Sequence, residues 1–552
     1  MRISTSLQWN EYFSQCKKLI QTKNWFALAQ SLPSVLRLAR NLQQHQDFVR
    51  ILEPIENHLP RTQQNQLVFA ELLLCARAFE KALGVLETII PTPPQALALH
   101  ALALLRCSKP IAALEQAQAA LETDFRHDLA HRVLAEASYE LGLPNWQQAF
   151  ERAAKHTTGR QTGLVHFEWG RALELELQGA MAREHWAIAK SFFTTDAFYE
   201  AKIMANLGLS CVRELKLEEA ETYYAQLLKR ALHPDAKMFL SQAWRGFGLS
   251  WRAAGEYQRA IFAYKKALKL AKEPFDEIQA QRGIGHTLRL QGNPSQALPY
   301  LQKALAIQKK HHHPLTIYPD LAAARLANGN VETAQHALEQ WQGGGEDEER
   351  RQIIYAEIAR RHQNPNLALE YAKKVRWHSL WGRDELIAFP KLQALLVSMN
   401  ITLPTLIQTN SRFQIQVKAR GTLQISINQR RLSLNPTNRA AQLLVLLLEH
   451  QGSRSARQLL LDFYPNTTKT EARAKQKLIS KAVVSLREAL GWQESIQQQG
   501  GVYSLDLNST WQYDVRQARD NGESVSVFMT GVNEEWVLER IRSFEHQPRD
   551  LN

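Results

Sequence analysis

The stretch Trp244–Lys272, WRGFGLSWRAAGEYQRAIFAYKKALKLAK, decides how the first four hundred residues are read. Its Gly248, Gly255, Ala260, Tyr264, Ala267 and Leu268 return 37 residues later as Gly285, Gly292, Ala297, Leu301, Ala304 and Leu305. A further 37 residues on come Gly329, Ala334 and Leu338. Backwards, Gly208, Ala220, Tyr224 and Leu227 precede the first set by 40, and Gly170, Ala182, Trp186 and Ala189 precede those by 38. Such a period marks a helical repeat array, in which each unit packs only on its neighbours. A small residue in one helix lets a second helix approach, and a glycine allows the tight turn between them. Alanine then sits at the crossing, with an aromatic or leucine four residues on closing the interface.

These residues resemble the tetratricopeptide repeat, whose period is slightly shorter. Weaker copies fall at Val68–Glu87, Ala96–Glu122, Leu129–Ala154 and Gln352–Val375. The expected organisation is a helical region at 1–65, repeats at 66–400, a linker at 401–411, a C-terminal domain at 412–510 and a tail with one helix at 511–552. The fold class is mainly α: an α-solenoid followed by an α+β winged helix-turn-helix domain. The solenoid offers a groove for a peptide, small molecule or protein partner, or serves only as a scaffold or dimerisation arm; fold alone does not choose.

The C-terminal domain announces itself by a change of period. Phe413, Ile415 and Val417 alternate with polar residues, as do Leu423, Ile425 and Ile427, then Leu432 and Leu434, which predicts a small antiparallel sheet. Three helices follow, at about Thr437–His450, Ser455–Phe463 and Thr470–Leu490, the last opened by a Thr468/Glu471 capping box and closed by Gly491. Ser495–Gln499 and Val502–Leu507 flank Gly500-Gly501 as a hairpin.

Charge is concentrated here. The chain of 552 residues carries a net +13. Residues 411–517 hold fifteen Lys and Arg against seven acids, or +8, a density almost four times that of the first 410 residues. Between Lys469 and Arg487 six basic residues face one acid, Glu471, whereas ordinary solvated helix faces mix signs. A basic amphipathic helix of this size suits a DNA major groove. The candidate DNA-binding residues are Arg473, Lys475, Lys477, Ser480, Lys481, Ser485 and Arg487 on the helix, with Gln498 (within Gln497–Gln499) and Tyr503 on the hairpin.

Here the chain resembles the OmpR/PhoB-type winged helix, and among such proteins the SARP-like bacterial transcriptional activators. The matching residues are Leu434–Ala440, Val483–Gly491, Gly500–Leu505 and Tyr513–Val515. Val527–Gly531 and Glu535–Arg540 resemble the start of their activation domain. The resemblance implies a sequence-specific transcription regulator, with the Tyr464–Lys469 loop on RNA polymerase and paired modules, such as a homodimer, on direct repeats. The chain departs from it in carrying its repeats before the winged helix, in Val484 and Ser485 on the basic helix, and in lacking a receiver domain. The alternative is a protein-interaction scaffold whose winged helix contacts protein; an RNA-binding regulator is a further one, weakened because A-form major grooves exclude helices.

Other classes find little support. The chain holds no P-loop, G-x-S-x-G or H-E-x-x-H motif, so an enzyme is not expected, nor a cofactor. Lys309–Pro314 holds three adjacent histidines that cannot all face one ion, and Gly343–Glu349 reads as an acidic turn. Four scattered cysteines read as buried thiols. No apolar run approaches the roughly 18 residues that cross a membrane. Met1–Ser6 leads into an amphipathic charged stretch, so a cytoplasmic protein is expected.

Overall fold

The computed structural model describes residues 5–42, 58, 62–90, 92–311, 313, 317–341, 346–405, 413–468 and 470–545. His312, Gly343–Gly345, Lys469 and residues 406–411 of the expected linker lie outside the described residues. The chain forms two compact units, one of residues 1–214 with 226–240, the other of 215–225 with 241–552.

Helix pairs run through both. In the first unit they include Gln63–Cys75 with Phe79–Glu87, Pro94–Arg106 with Pro110–Thr123, Asp128–Glu140 with Trp146–His156, and Gly159–Leu175 with Gly179–Phe192, followed by Ala197–Arg213. In the second they include Leu240–Ala253 with Tyr257–Leu270, Pro274–Leu290 with Pro294–Lys310, Tyr318–Ala327 with Val331–Glu339, and Glu346–Arg361 with Pro365–Ala372. The repeat spacing has the cause read from the sequence. A Cβ built on Gly170 would lie 2.6 Å from Trp186 Nε1, and one on Gly285 2.6 Å from Leu301 Cγ. The facing alanines, Ala182, Ala260 and Ala297, are fully buried. Close approach at each crossing therefore excludes any side chain on the first helix.

The C-terminal block has two small sheets. Strands β1 (Gln414–Lys418), β2 (Gln424–Ile427), β3 (Arg430–Arg431) and β7 (Thr510–Tyr513) form one, in the order β3-β2-β1-β7. Strand β4 (Ser453–Ser455) with β5 (Ile496–Gln499) and β6 (Val502–Leu505) forms the other, in the order β4-β6-β5. Between them stand the helices Arg439–Glu449, Ala456–Phe463 and Ala472–Leu490. Ile415, Val417, Ile425 and Ile427 from the sheet and Leu443, Leu447, Ile479, Val483 and Leu486 from the helices share one buried core.

Several expectations need correction. Leu434 lies outside the sheet, because the pairing with β2 ends where the Leu432 amide donates to the Ile425 carbonyl at 2.8 Å. The third helix begins at Ala472; Thr468 and Glu471 do pair, the Thr468 hydroxyl donating to Glu471 Oε2 at 3.0 Å, but in the turn before it. Strands β4 and β7 were not expected. The stretch after 511 holds two helices, Asp514–Asp520 and Glu535–Glu545, and is no loose tail: Val515, Phe528, Trp536 and Val537 are buried in the block's core. The Met529 and Thr530 amides donate to the Ala419 and Gly421 carbonyls at 2.9 and 2.8 Å, fastening it to the end of β1.

Glu449, at the end of the first of the three helices, organises this closure. Its carboxylate accepts from the Tyr513 hydroxyl at 2.6 Å and Arg519 at 2.8 Å, and also from Arg540. Burial raises its pKa, but the Tyr513 hydrogen bond and the two arginines outweigh burial and hold it below the usual carboxylate value. A depressed folded-state pKa stabilises above the unfolded value and is lost as pH falls through the folded one. Glu449→Gln is therefore expected to lower the urea midpoint at neutral pH by more than at about pH 4, where the carboxylate of the unfolded chain is already taking up protons and the advantage of the folded one is shrinking. An equal loss at both would refute the assignment.

Candidate nucleic-acid interface and repeat groove

The helix Ala472–Leu490 buries Ile479, Ala482, Val483, Leu486 and Leu490 along one stripe and turns the opposite face outward. Arg473, Lys477, Ser480, Lys481, Val484 and Ser485 are exposed there, Val484 to 47%. The side chains of Arg473, Lys477 and Lys481 make no ion pair or hydrogen bond among the described residues. Gln498 is exposed on β5, beside this face in sequence order but on the adjoining hairpin.

Three of the expected contact residues are placed otherwise. Tyr503 is 3% exposed and belongs to the core of the block. Arg487 is partly buried and donates from Nε and a terminal nitrogen to the Ile496 carbonyl, at 3.0 and 2.6 Å, so it clamps the helix to the hairpin. Lys475 is half-buried, its ammonium 4.8 Å from the Tyr464 ring, which Arg439 also covers at 5.2 Å. That stacking fixes the 464–468 turn. Signals for two of these were present: Tyr503 alternates in phase with Leu505, and Arg487 lies close to the apolar stripe.

The far end of the basic helix is seated on the repeats of the same unit. Gly491 ends it with φ +93°, and a Cβ there would lie 2.6 Å from Arg259 Nε. Arg259 cannot swing away. It is buried, stacked 4.1 Å over Trp251 and paired with Glu256. Lys266 reaches Glu488 at 2.9 Å, and Arg430 pairs with Glu221 and Glu256. Gly491→Ala combines a left-handed backbone with a steric clash, so a loss of roughly 2 kcal/mol or more is expected in urea unfolding. Arg259→Ala, costly by itself because it strips Glu256 of a buried partner, should cost less in the Gly491→Ala background than in the wild type, by the steric part; an equal cost in both would show that the strain is all backbone.

In the second unit a buried ionic cluster holds the helix Leu380–Ala388 against the repeats. Arg289 binds Glu385 through both terminal nitrogens at 2.6 and 2.7 Å. Arg252 meets Asp384 at 3.2 Å, and Arg282 meets Asp320 at 2.6 Å. Arg350, fully buried, reaches Asp320 at 2.9 Å and Glu385 at 3.5 Å. His286 lies between Asp384 at 3.1 Å and Asp320 at 3.6 Å; burial and then Arg252 lower its pKa, favouring the neutral ring. Three of these arginines also stack on Trp381, at 4.5 to 5.5 Å.

In the first unit the corresponding first helices line an open cavity of about 1030 Å³. Leu99, Arg106, Arg132, Phe167, Lys202 and Arg213 contribute to its wall. Several of its charges are matched: Arg106 pairs with Glu136 at 2.7 Å, Arg171 with Glu168 at 2.7 Å and Arg213 with Glu174 at 2.8 Å. Lys202 is different. It lies 4.7 Å from the Phe167 ring and 5.7 Å from that of Tyr199, with no ion pair or hydrogen bond among the described residues.

Among the described residues no group of three His, Cys, Asp or Glu could hold a metal, and the four cysteines are free thiols. Nor is any described helix long and apolar enough to cross a membrane.

Residues 239–310 match the family model for tetratricopeptide repeats. No curated protein matches the chain. Among solved structures, a Rap protein complexed with competence and sporulation factor is similar at 14% identity and TM-score 0.41, over 56% of this chain and 92% of that one. The apo form of RapI is similar at 12% identity and TM-score 0.37, over 70% and 99%. BtubC from P. vanneervenii is similar at 15% identity and TM-score 0.32, over 38% and 92%.

Proposed function

We propose that this protein is a DNA-binding regulator in which tetratricopeptide-like repeats hold a peptide or protein partner and the C-terminal block binds duplex DNA. The carrying observation is the outward face of Ala472–Leu490, where Arg473, Lys477 and Lys481 stand exposed without carboxylate partners. Unpaired cations along one rigid helix are the electrostatic footprint of a phosphate backbone. The order of elements supports a winged helix of the OmpR/PhoB kind: sheet, three helices, then a hairpin clamped to the third helix by Arg487. In this reading Ser480 and Ser485 face base edges, Gln498 on the wing touches the backbone or minor groove, and Tyr503 and Arg487 support the wing from within. By the SARP-like resemblance the Tyr464–Lys469 turn meets RNA polymerase.

Titration of the whole chain with mixed-sequence DNA duplexes at several salt concentrations tests this. Binding that weakens steeply with salt, and prefers DNA to RNA duplex, is the expected result. The repeat match at residues 239–310 favours the second reading, a repeat scaffold whose C-terminal block contacts protein. Absence of any duplex binding at low salt would leave that reading in place of the first.

A further inference from the structure

We infer that the groove of the first unit takes an acidic helical peptide, one that presents an aromatic residue and, one turn later, two adjacent carboxylates. The inference rests on the repeats acting as a partner-holding array and names the chemistry of that partner. Two observations point to an anionic occupant. Lys202 projects into the groove against Phe167 and Tyr199 with no carboxylate in contact, and burial lowers its pKa, so an incoming carboxylate would relieve an existing cost. Arg132, only 7% exposed, meets Glu136 at 3.4 Å and leaves its Nε without a hydrogen-bond acceptor. At the rim, Arg77 and Arg126 are exposed and make no side-chain ion pair. Eight lysines and arginines line the groove against six carboxylates, of which Glu168 and Glu174 are already engaged by arginines, so its net charge is positive.

The second unit supplies the form of the occupant. There the same kind of surface, built from the first helices of successive pairs, is filled by the chain's own helix Leu380–Ala388. That helix presents Trp381, Asp384 and Glu385, residues i, i+3 and i+4 on one face. The ring stacks beneath three arginines while the carboxylates pair with Arg252 and Arg289. In the first unit Lys202 is set over the buried rings of Phe167 and Tyr199, as the arginines are set over Trp381 in the second, and its ammonium is the cation left for a carboxylate. A nucleic-acid strand suits this groove less, because Glu71, Asp124, Asp128 and Glu140 also line it and would oppose evenly spaced phosphates.

The test uses a fluorescein-labelled peptide of residues 379–388 (SLWGRDELIA) and fluorescence anisotropy with the full chain. Two further peptides carry Asn and Gln, or two lysines, in place of the Asp384 and Glu385 acids. The acidic peptide is expected to bind, the amide form about tenfold or more weaker, and the lysine form not at all. Lys202→Glu should weaken the acidic peptide similarly and Lys202→Arg should preserve it. Arg126→Glu, an exposed change that spares the fold, is expected to act in the same direction. Equal binding of acidic and amide peptides, or indifference to both Lys202→Glu and Arg126→Glu, overturns the acidic assignment while leaving a peptide-holding groove. Binding by none of the three overturns both the assignment and the partner-holding reading of this groove, and leaves the duplex titration to judge the C-terminal block.

Discussion

Replacing Arg473, Lys477 and Lys481 together by alanine is expected to reduce the salt dependence of duplex binding by about 2.7 in the slope of log affinity against log salt, three phosphate contacts at about 0.9 each. The three side chains are exposed and make no ion pair, so the fold should tolerate their loss, and the urea midpoint should move little. Affinity should fall for all duplex sequences alike, since phosphate contacts position without specifying. Arg487→Ala provides the contrast. Its guanidinium is spent on the Ile496 carbonyl, so its removal should loosen the hairpin and lower stability while changing the salt slope less. A triple variant that stays folded and keeps the wild-type slope would remove the basic face from the proposal.

The second large effect belongs to Arg350. A buried ion pair stripped of one partner costs about 3–5 kcal/mol, because the remaining charge stays desolvated. Arg350→Leu is expected at the lower end, about 3 kcal/mol. Asp320 keeps Arg282 and Glu385 keeps Arg289, so neither carboxylate is orphaned. With His286 neutral, the cluster of Arg252, Arg282, Arg289 and Arg350 against Asp320, Asp384 and Glu385 carries one excess positive charge, and the substitution balances it. Asp384→Leu should cost more, since it strands Arg252, takes from His286 the nearer of its two carboxylates and raises the excess. Urea unfolding of both variants checks the order. Arg350→Leu as the more damaging change would mean that the Trp381 stack, rather than charge balance, governs the site.

The repeats were legible because their physics is local. Gly170, Gly248 and Gly285 mark helix crossings, and the partner of each lies in the next helix, at Trp186, Tyr264 and Leu301. The exposed face of the basic helix was legible for the same reason, since helical spacing alone separates Ile479 and Val483 from Lys477 and Lys481. What escaped was set by distant or backbone partners. Strand β7 exists because Thr510–Tyr513 pairs with Gln414–Val417, and nothing near Trp511 reports that. The fate of Arg487 depends on a backbone carbonyl nine residues on, which charge counting cannot see. The arginines facing Trp381 come from helices as far back as Arg252, well over a hundred residues before Asp384 and Glu385, so their convergence appears only in the folded chain. The same holds for Lys475, whose charge is turned onto Tyr464.

The parallel pairing of β1 with β7 also sets an order in time. Each repeat finds its neighbour within about forty residues and can settle as soon as two helices have left the ribosome. The C-terminal block cannot do so. Its sheet joins Gln414 to Thr510 and Val417 to Tyr513, so the edge beside β1 stays unpaired until nearly a hundred further residues are made. Glu449 likewise waits for Tyr513, Arg519 and Arg540. Nascent chains halted before residue 510 should therefore carry finished repeats and an open, sticky sheet edge, making this block the slow and aggregation-exposed step of biosynthesis.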